Sequence, residues 1–203
     1  MKNFVLIGLT ILSLASWAEQ PTDNYIKFKI SSLQLFSSFS SFIYFQGNDR
    51  NRARLLTAKE QGNQAIALLP DSEVALKEKW KEITDFVALY QSYDFDGADM
   101  SLEAGWSIHQ REFNKIIDER ATGEIQTIDE FQIKMETILS QYMGYANSTT
   151  GGYGVSYADI PLDKLVENMG QELIELAKTD SKYQPLQKRW NYIPGTLLAY
   201  NSN

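Results

Sequence analysis

Phe28-Lys29-Ile30, then Leu35-Phe36-Ser37-Ser38-Phe39 and Phe42, have a counterpart later in the chain. It reads Phe131-Gln132-Ile133, then Ile138-Leu139-Ser140, Tyr142 and Tyr145. A second echo follows the first in the same order. Asp71-Ser72 leads to Leu76-Lys77-Glu78-Lys79-Trp80 and Ile83, and Asp180-Ser181 leads to Leu186-Gln187-Lys188-Arg189-Trp190 and Ile193. Order and spacing agree across two separate segments, which points to a duplicated helical unit. The offset is slightly longer at the tryptophans than at the first helix, and the extra residues fit a loop rich in glycine between them. A repeat of this kind makes scaffold the first explanation for most of the aromatic residues.

Outward from that stretch the pattern is helical nearly throughout. In residues 27 to 46, Leu35, Phe36, Phe39, Phe42 and Ile43 recur at three- and four-residue spacing and make one apolar stripe. The serines between them (Ser37, Ser38, Ser40, Ser41) are small enough for a neighbouring helix to approach closely. Gly47-Asn48-Asp49 reads as a break and a new cap. A second helix spans residues 50 to 69 and a third follows the Asp71-Ser72 cap, with Val74, Leu76, Trp80, Ile83, Phe86, Val87 and Tyr90 inward. A fourth runs to about Arg120, with Trp106, Phe113, Ile116 and Ile117 inward. The second copy opens near Thr127, with a helix to about Tyr145 and a connector from Asn147 to Tyr157. A helix behind Pro161 comes next, then a short one around Trp190, Pro194-Gly195 and a polar tail. The expected fold is all-α: an antiparallel helical bundle of two related units. The division is a signal peptide at 1–18, a first unit with a connecting helix at 19–122, and a second unit at 123–203.

The signal peptide is read from Lys2, the apolar stretch Phe4 to Leu14 and the small residues Ser16 and Ala18 at the cleavage positions. That stretch is too short to span a bilayer, and no other is apolar enough, so the expectation is a periplasmic or secreted soluble protein. The chain of 203 residues carries a net charge of −7, which disfavours nucleic acid and anionic lipid as partners. Cysteine is absent, which removes disulfides, thiolate metal sites and cysteine nucleophiles together.

With its signal peptide, two helical units and serine-marked helices, the chain resembles the N-terminal sensory domain of type IV pilus methyl-accepting chemotaxis transducers (PilJ type). That family's helix usually reads Gly-Arg-Gln-Arg-Met-Leu-Ser-Gln-Arg. The second copy here reads Lys134-Met135-Glu136-Thr137-Ile138-Leu139-Ser140-Gln141-Tyr142, and the first reads Ser31-Ser32-Leu33-Gln34-Leu35-Phe36-Ser37-Ser38-Phe39. The Leu-Ser-Gln core is present once and the apolar positions twice. Met135, Thr137 and Tyr142 in one copy, and Ser32, Gln34 and Phe39 in the other, replace the arginines. The resemblance implies a helical sensory architecture. It carries over no binding residue, because the guanidinium fork that would hold an oxyanion is missing.

Four features carry candidate chemistry. Asp94-Phe95-Asp96-Gly97 with Glu103 places Asp94, Asp96 and Glu103 at ligand positions of a calcium loop. Ser92 stands where aspartate is expected and Asp99 where an apolar residue packs, which favours a solvated turn with Asp99 as helix cap. Arg50 and Arg54 share a helix face near a helix start, where guanidinium groups and free amides hold small anions; a solvated face is the plainer reading. Tyr153 and Tyr157, in the loop after Ser148, offer a recognition surface or a connector folded back on the bundle. Asn147-Ser148-Thr149 also matches the glycosylation sequon. His109, the single histidine, has Glu112 on its face but no second His or Cys to complete a metal site. The expected function is non-enzymatic and without a cofactor: a sensory or binding module acting through an envelope protein partner or a small ligand, a small anion included. A structural adaptor and a calcium-stabilised helical protein are the alternatives.

Overall fold

The computed structural model describes residues 23–93, 100–148 and 160–201. The signal peptide at 1–18, Asp94, Asp96, Asp99, Tyr153 and Tyr157 lie outside them. The helices are α1 (Asn24–Tyr44), α2 (Asp49–Ala67), α3 (Val74–Tyr90), α4 (Met100–Asp118), α5 (Thr127–Ser148), α6 (Leu162–Thr179), α7 (Gln184–Trp190) and α8 (Pro194–Leu197). Short 3-10 turns at Ser181–Tyr183 and Leu198–Asn201 flank the last two. The described residues contain no strand, and none of their helices is long and apolar enough to cross a membrane.

Local chemistry sets the helix ends. Asp23 caps α1 by accepting from the amides of Tyr25 and Ile26. The α1–α2 turn needs left-handed backbone at Gln46 (φ 57°) and Gly47 (φ 74°), after which the Asn48 side chain caps α2. Asp71 does not cap α3. It pairs with Lys77 at 2.9 Å, and the helix begins two residues beyond Ser72, at Val74, which is exposed. The tail beyond Pro194 is not simply polar, because α8 and the turn after it return Leu197 to the core.

Cross-helix contacts give the topology. Arg52 at Gln91, Phe86 at Trp106, Glu103 at Asn147 and Lys134 at Glu172 all join helices that run in opposite directions. The chain therefore runs up and down, and three helices intervene between α1 and α5. That even number of reversals makes α1 and α5 parallel, and Ser37 meets Glu136 across them.

Two hydrophobic cores result. The first is aromatic and lies among α1 to α4. Phe28 packs edge-on against Trp80 at 5.1 Å and Phe113 at 5.6 Å, while Phe36 and Phe39 close on Trp106 at 5.0 and 4.3 Å. Rings in these offset geometries add to simple area burial. The second core joins Phe131 and Ile138 of α5 to Leu162, Val166, Met169 and Leu173 of α6, and to Leu186, Trp190 and Leu197. Helix α5 serves both sides. One stripe (Phe131, Met135, Ile138, Tyr142, Tyr145) packs into the second core, and another (Ile133, Glu136, Ser140, Gly144, Asn147) faces α1 and α4.

The two tryptophans occupy matching places. Trp80 lies over Gly62 of α2 and donates to Asn63 at 2.9 Å, and Trp190 lies over Gly170 of α6. The two sites differ in tightness. A methyl group on Gly62 would overlap the Trp80 ring at Cζ2 and Cη2, whereas on Gly170 it would sit 3.0 Å from Trp190 Nε1. Alanine gains roughly 1 kcal/mol over glycine in a helix interior, and overpacking costs about 1–3 kcal/mol. Gly62→Ala is therefore expected to destabilise the protein by up to about 2 kcal/mol net, and Gly170→Ala to be close to neutral. Urea denaturation of both variants checks this ordering; equal midpoints would contradict it.

Candidate functional site

The serines of α1 are the starting point. Ser32, Ser37, Ser38, Ser40 and Ser41 are all buried, so each hydroxyl needs an acceptor. Ser32 and Ser41 return theirs to their own helix, at Lys29 O (2.7 Å) and Ser37 O (2.7 Å). Ser37 and Ser40 each find a carboxylate on another helix, although the Ser37 hydroxyl also lies 3.2 Å from Gln34 O of its own helix.

Ser40 Oγ donates to Glu103 Oε1 at 3.0 Å, and Asn147 Nδ2 donates to Glu103 Oε2 at 2.8 Å. The same amide nitrogen lies 3.1 Å from Ser40 O, so one side chain of α5 ties α1 and α4 together. Gly144 faces this carboxylate: a Cβ on it would stand in ordinary contact, 3.6 Å from Glu103 Oε1. Glu103 is 7% exposed, and its two donors are neutral. Burial pushes its carboxyl up to about 6, against the smaller opposing effect of Ser40 and Asn147.

Further along the same seam, Ser37 Oγ donates to Glu136 Oε2 at 2.5 Å. Glu136 keeps part of its surface exposed, yet crowding by protein is the leading cause of its raised pKa. The Ser37 hydrogen bond and then Arg54 act the other way. Ser140, the repeat partner of Ser37, donates to Gln110 Oε1 of α4 at 2.9 Å. The seam thus joins α1, α4 and α5 through serines, amides and two carboxylates, where the neighbouring core uses rings.

The residues singled out in the sequence fall in different places. Glu103 is turned into the bundle, toward Ser40 and Asn147. Both its oxygens are engaged, whereas the last ligand of a calcium loop needs them for the ion. Among the described residues, no group of three or more His, Asp or Glu is placed to hold a metal ion. Arg50 is exposed and Arg54 half-buried beside Glu136. Arg52 between them is structural: it donates to Gln91 O and Gly47 O, both at 2.8 Å, and lies over the Phe42 ring. Asn147 is a correction to the sequence reading. It belongs to α5 rather than to the connector, and it is fully buried, which removes it as a glycosylation acceptor. His109 packs against Phe86 at 4.9 Å, and burial, then Lys79, lowers its pKa.

Sequence reasoning missed Glu136, Asn147 and Gln110 as seam residues. A signal was present: Glu136, Ser140, Gly144 and Asn147 recur at helical spacing on a helix that already has a complete apolar stripe.

The raised Glu103 pKa fixes the sign of a pH effect. In the unfolded chain the carboxyl ionises near 4.5, and in the fold near 6. The fold therefore holds the proton more tightly, and its advantage is complete below 4.5 and lost as pH rises through 6. The difference amounts to about 2 kcal/mol. His109 works in the opposite direction, because a lowered histidine pKa favours the fold at higher pH. Comparison with a Glu103→Gln variant isolates the glutamate. Wild type is expected to lose about 2 kcal/mol relative to the variant between about pH 4 and pH 7.5. Urea titrations at the two pH values measure this, and a constant difference would refute it.

Against this geometry, comparison with protein-family models, curated proteins and solved structures gives no match.

Proposed function

We propose that this protein is an exported, non-catalytic helical binding module of the cell envelope, in which a ligand or protein partner is sensed through the packing of α1 against α5. The observation that carries the reading is the buried polar seam between the two serine-marked helices. An interface held by neutral donors around carboxylates is easily rebalanced, because a small change in charge or hydration shifts several hydrogen bonds at once. The aromatic core beside it offers no comparable handle. The segment read as a signal peptide supports export, and the packing role of the single histidine fits a protein without general-base chemistry.

A small anion is the ligand class with residues to receive it. Arg54 lies half-buried on the helix that Asn48 caps, and its charge acts on Glu136. An anion that neutralised it would alter the balance at the Ser37–Glu136 bond. Arg50 is one turn nearer the helix start and exposed, where it would add to the attraction.

A thermal-shift screen with nitrate, other small anions and calcium tests the reading. An anion at about a hundred times its Kd contributes about 2.7 kcal/mol, which raises Tm by roughly 5–10 °C for a chain of this size. Arg54→Gln is expected to abolish that rise while leaving the unliganded Tm nearly unchanged. No shift with any anion would sink the small-ligand reading and leave the protein-partner form, for which crosslinking in the native envelope should recover a heteromeric adduct rather than monomer alone.

A further inference from the structure

We propose that Glu103 and Glu136 form a proton-operated latch between the two cores: with both carboxyls protonated α5 stays docked on α1 and α4, and with both ionised α5 opens locally along the seam. The latch acts without any ligand and does not depend on the binding reading above.

The placement of the two groups carries the argument. Glu103 comes from α4 in the first core, and Glu136 from α5, whose apolar stripe belongs to the second core. Each is hydrogen-bonded across the seam by neutral groups: Glu103 by Ser40 of α1 and Asn147 of α5, Glu136 by Ser37 of α1. Burying an ionised carboxylate is costly unless a cation or several strong donors compensate it. The electrostatic surroundings are sparse. No charged group of α1, α3 or α5 shifts Glu103, and the one charged group that acts on Glu136 is Arg54 of α2. The charges on the outer side of α5 are engaged with each other, Lys134 pairing with Glu130 and with Glu172 of α6.

Opening at α5 relieves the cost at least expense. Glu103 sits on a helix whose Trp106 and Phe113 are locked among the rings of the first core. Helix α5 packs closely along α1, and the apolar side chain it adds to the first core is Ile133, partly buried; its contacts with Ser37, Ser40 and Glu103 are polar. The hydrogen bonds along this seam are ones that water can replace. Burial raises the pKa of both carboxyls, that of Glu103 to about 6, which lifts the transition above the ordinary carboxylate range.

Hydrogen exchange of the purified protein, corrected for intrinsic exchange, tests the latch. Between about pH 5 and pH 7.5, α5 amides are expected to lose about tenfold in protection for each unit of pKa shift released on opening, while α3 amides change little. Glu103→Gln and Glu136→Gln mimic the protonated state, so each is expected to reduce the pH dependence and the double variant to remove it. Wild-type α5 protection that does not change with pH would overturn the proposal, as would a pH dependence that survives in the double variant. If one variant fails to fold, the other carries the test. A latch closed by neutral carboxyls requires neutral isosteres to fold, so loss of helical circular dichroism in both would overturn it too.

Discussion

Helix α1 is enclosed by other helices, and an enclosed helix has to resolve its polar side chains within the protein. Its aromatic residues settle one side by packing with Trp80, Trp106 and Phe113. Its serines settle the other. They are small enough to let α5 approach; the hydroxyls of Ser32 and Ser41 return to the α1 backbone, and those of Ser37 and Ser40 bond a carboxylate on a facing helix. This single constraint places Glu103, Glu136 and Asn147. Apolar side chains at those three positions would leave Ser37 and Ser40 to compete for α1 backbone carbonyls.

The molecule therefore has two kinds of interface. Within each core the attraction is apolar, grows with buried area and is insensitive to pH. Between the cores, α5 rests on α1 and α4 through hydrogen bonds, two of which depend on the charge state of a carboxyl. A clasp at the far end of the first core shows the contrast. There Glu73 accepts from Tyr25 (2.9 Å) and Arg120 (2.7 Å), and the guanidinium holds its pKa down. A paired, half-exposed carboxylate fixes a junction permanently, whereas a buried one without a bonded cation leaves it adjustable.

The all-helical architecture was legible because apolar periodicity is local. The stripes of α1, α3 and α4, apart from the exposed Val74, and the turn at Gly47 are where the spacing puts them. The serine prediction also held, since small residues beside an aromatic stripe allow close approach in any helix pair. The errors lie where local rules compete. Asp71-Ser72 looks like a cap, but Lys77 takes the aspartate and the chain turns again before α3 begins. Asn147 looks like the first residue of a connector, yet two hydrogen bonds from its amide hold the helix one turn longer.

The sequence alone determined the helices, their order and the likeness between Phe28 to Phe42 and Phe131 to Tyr145, because these depend on spacing along one chain. Tertiary structure decided what the polar residues do. Ser37 and Ser140 occupy equivalent positions in the repeat, but one bonds Glu136 and the other Gln110. Glu103 reads in sequence as the last ligand position of a calcium loop and in space as the buried centre of a three-helix junction. A carboxylate's role depends on whether water or protein surrounds it, and that is set by residues far away in the chain.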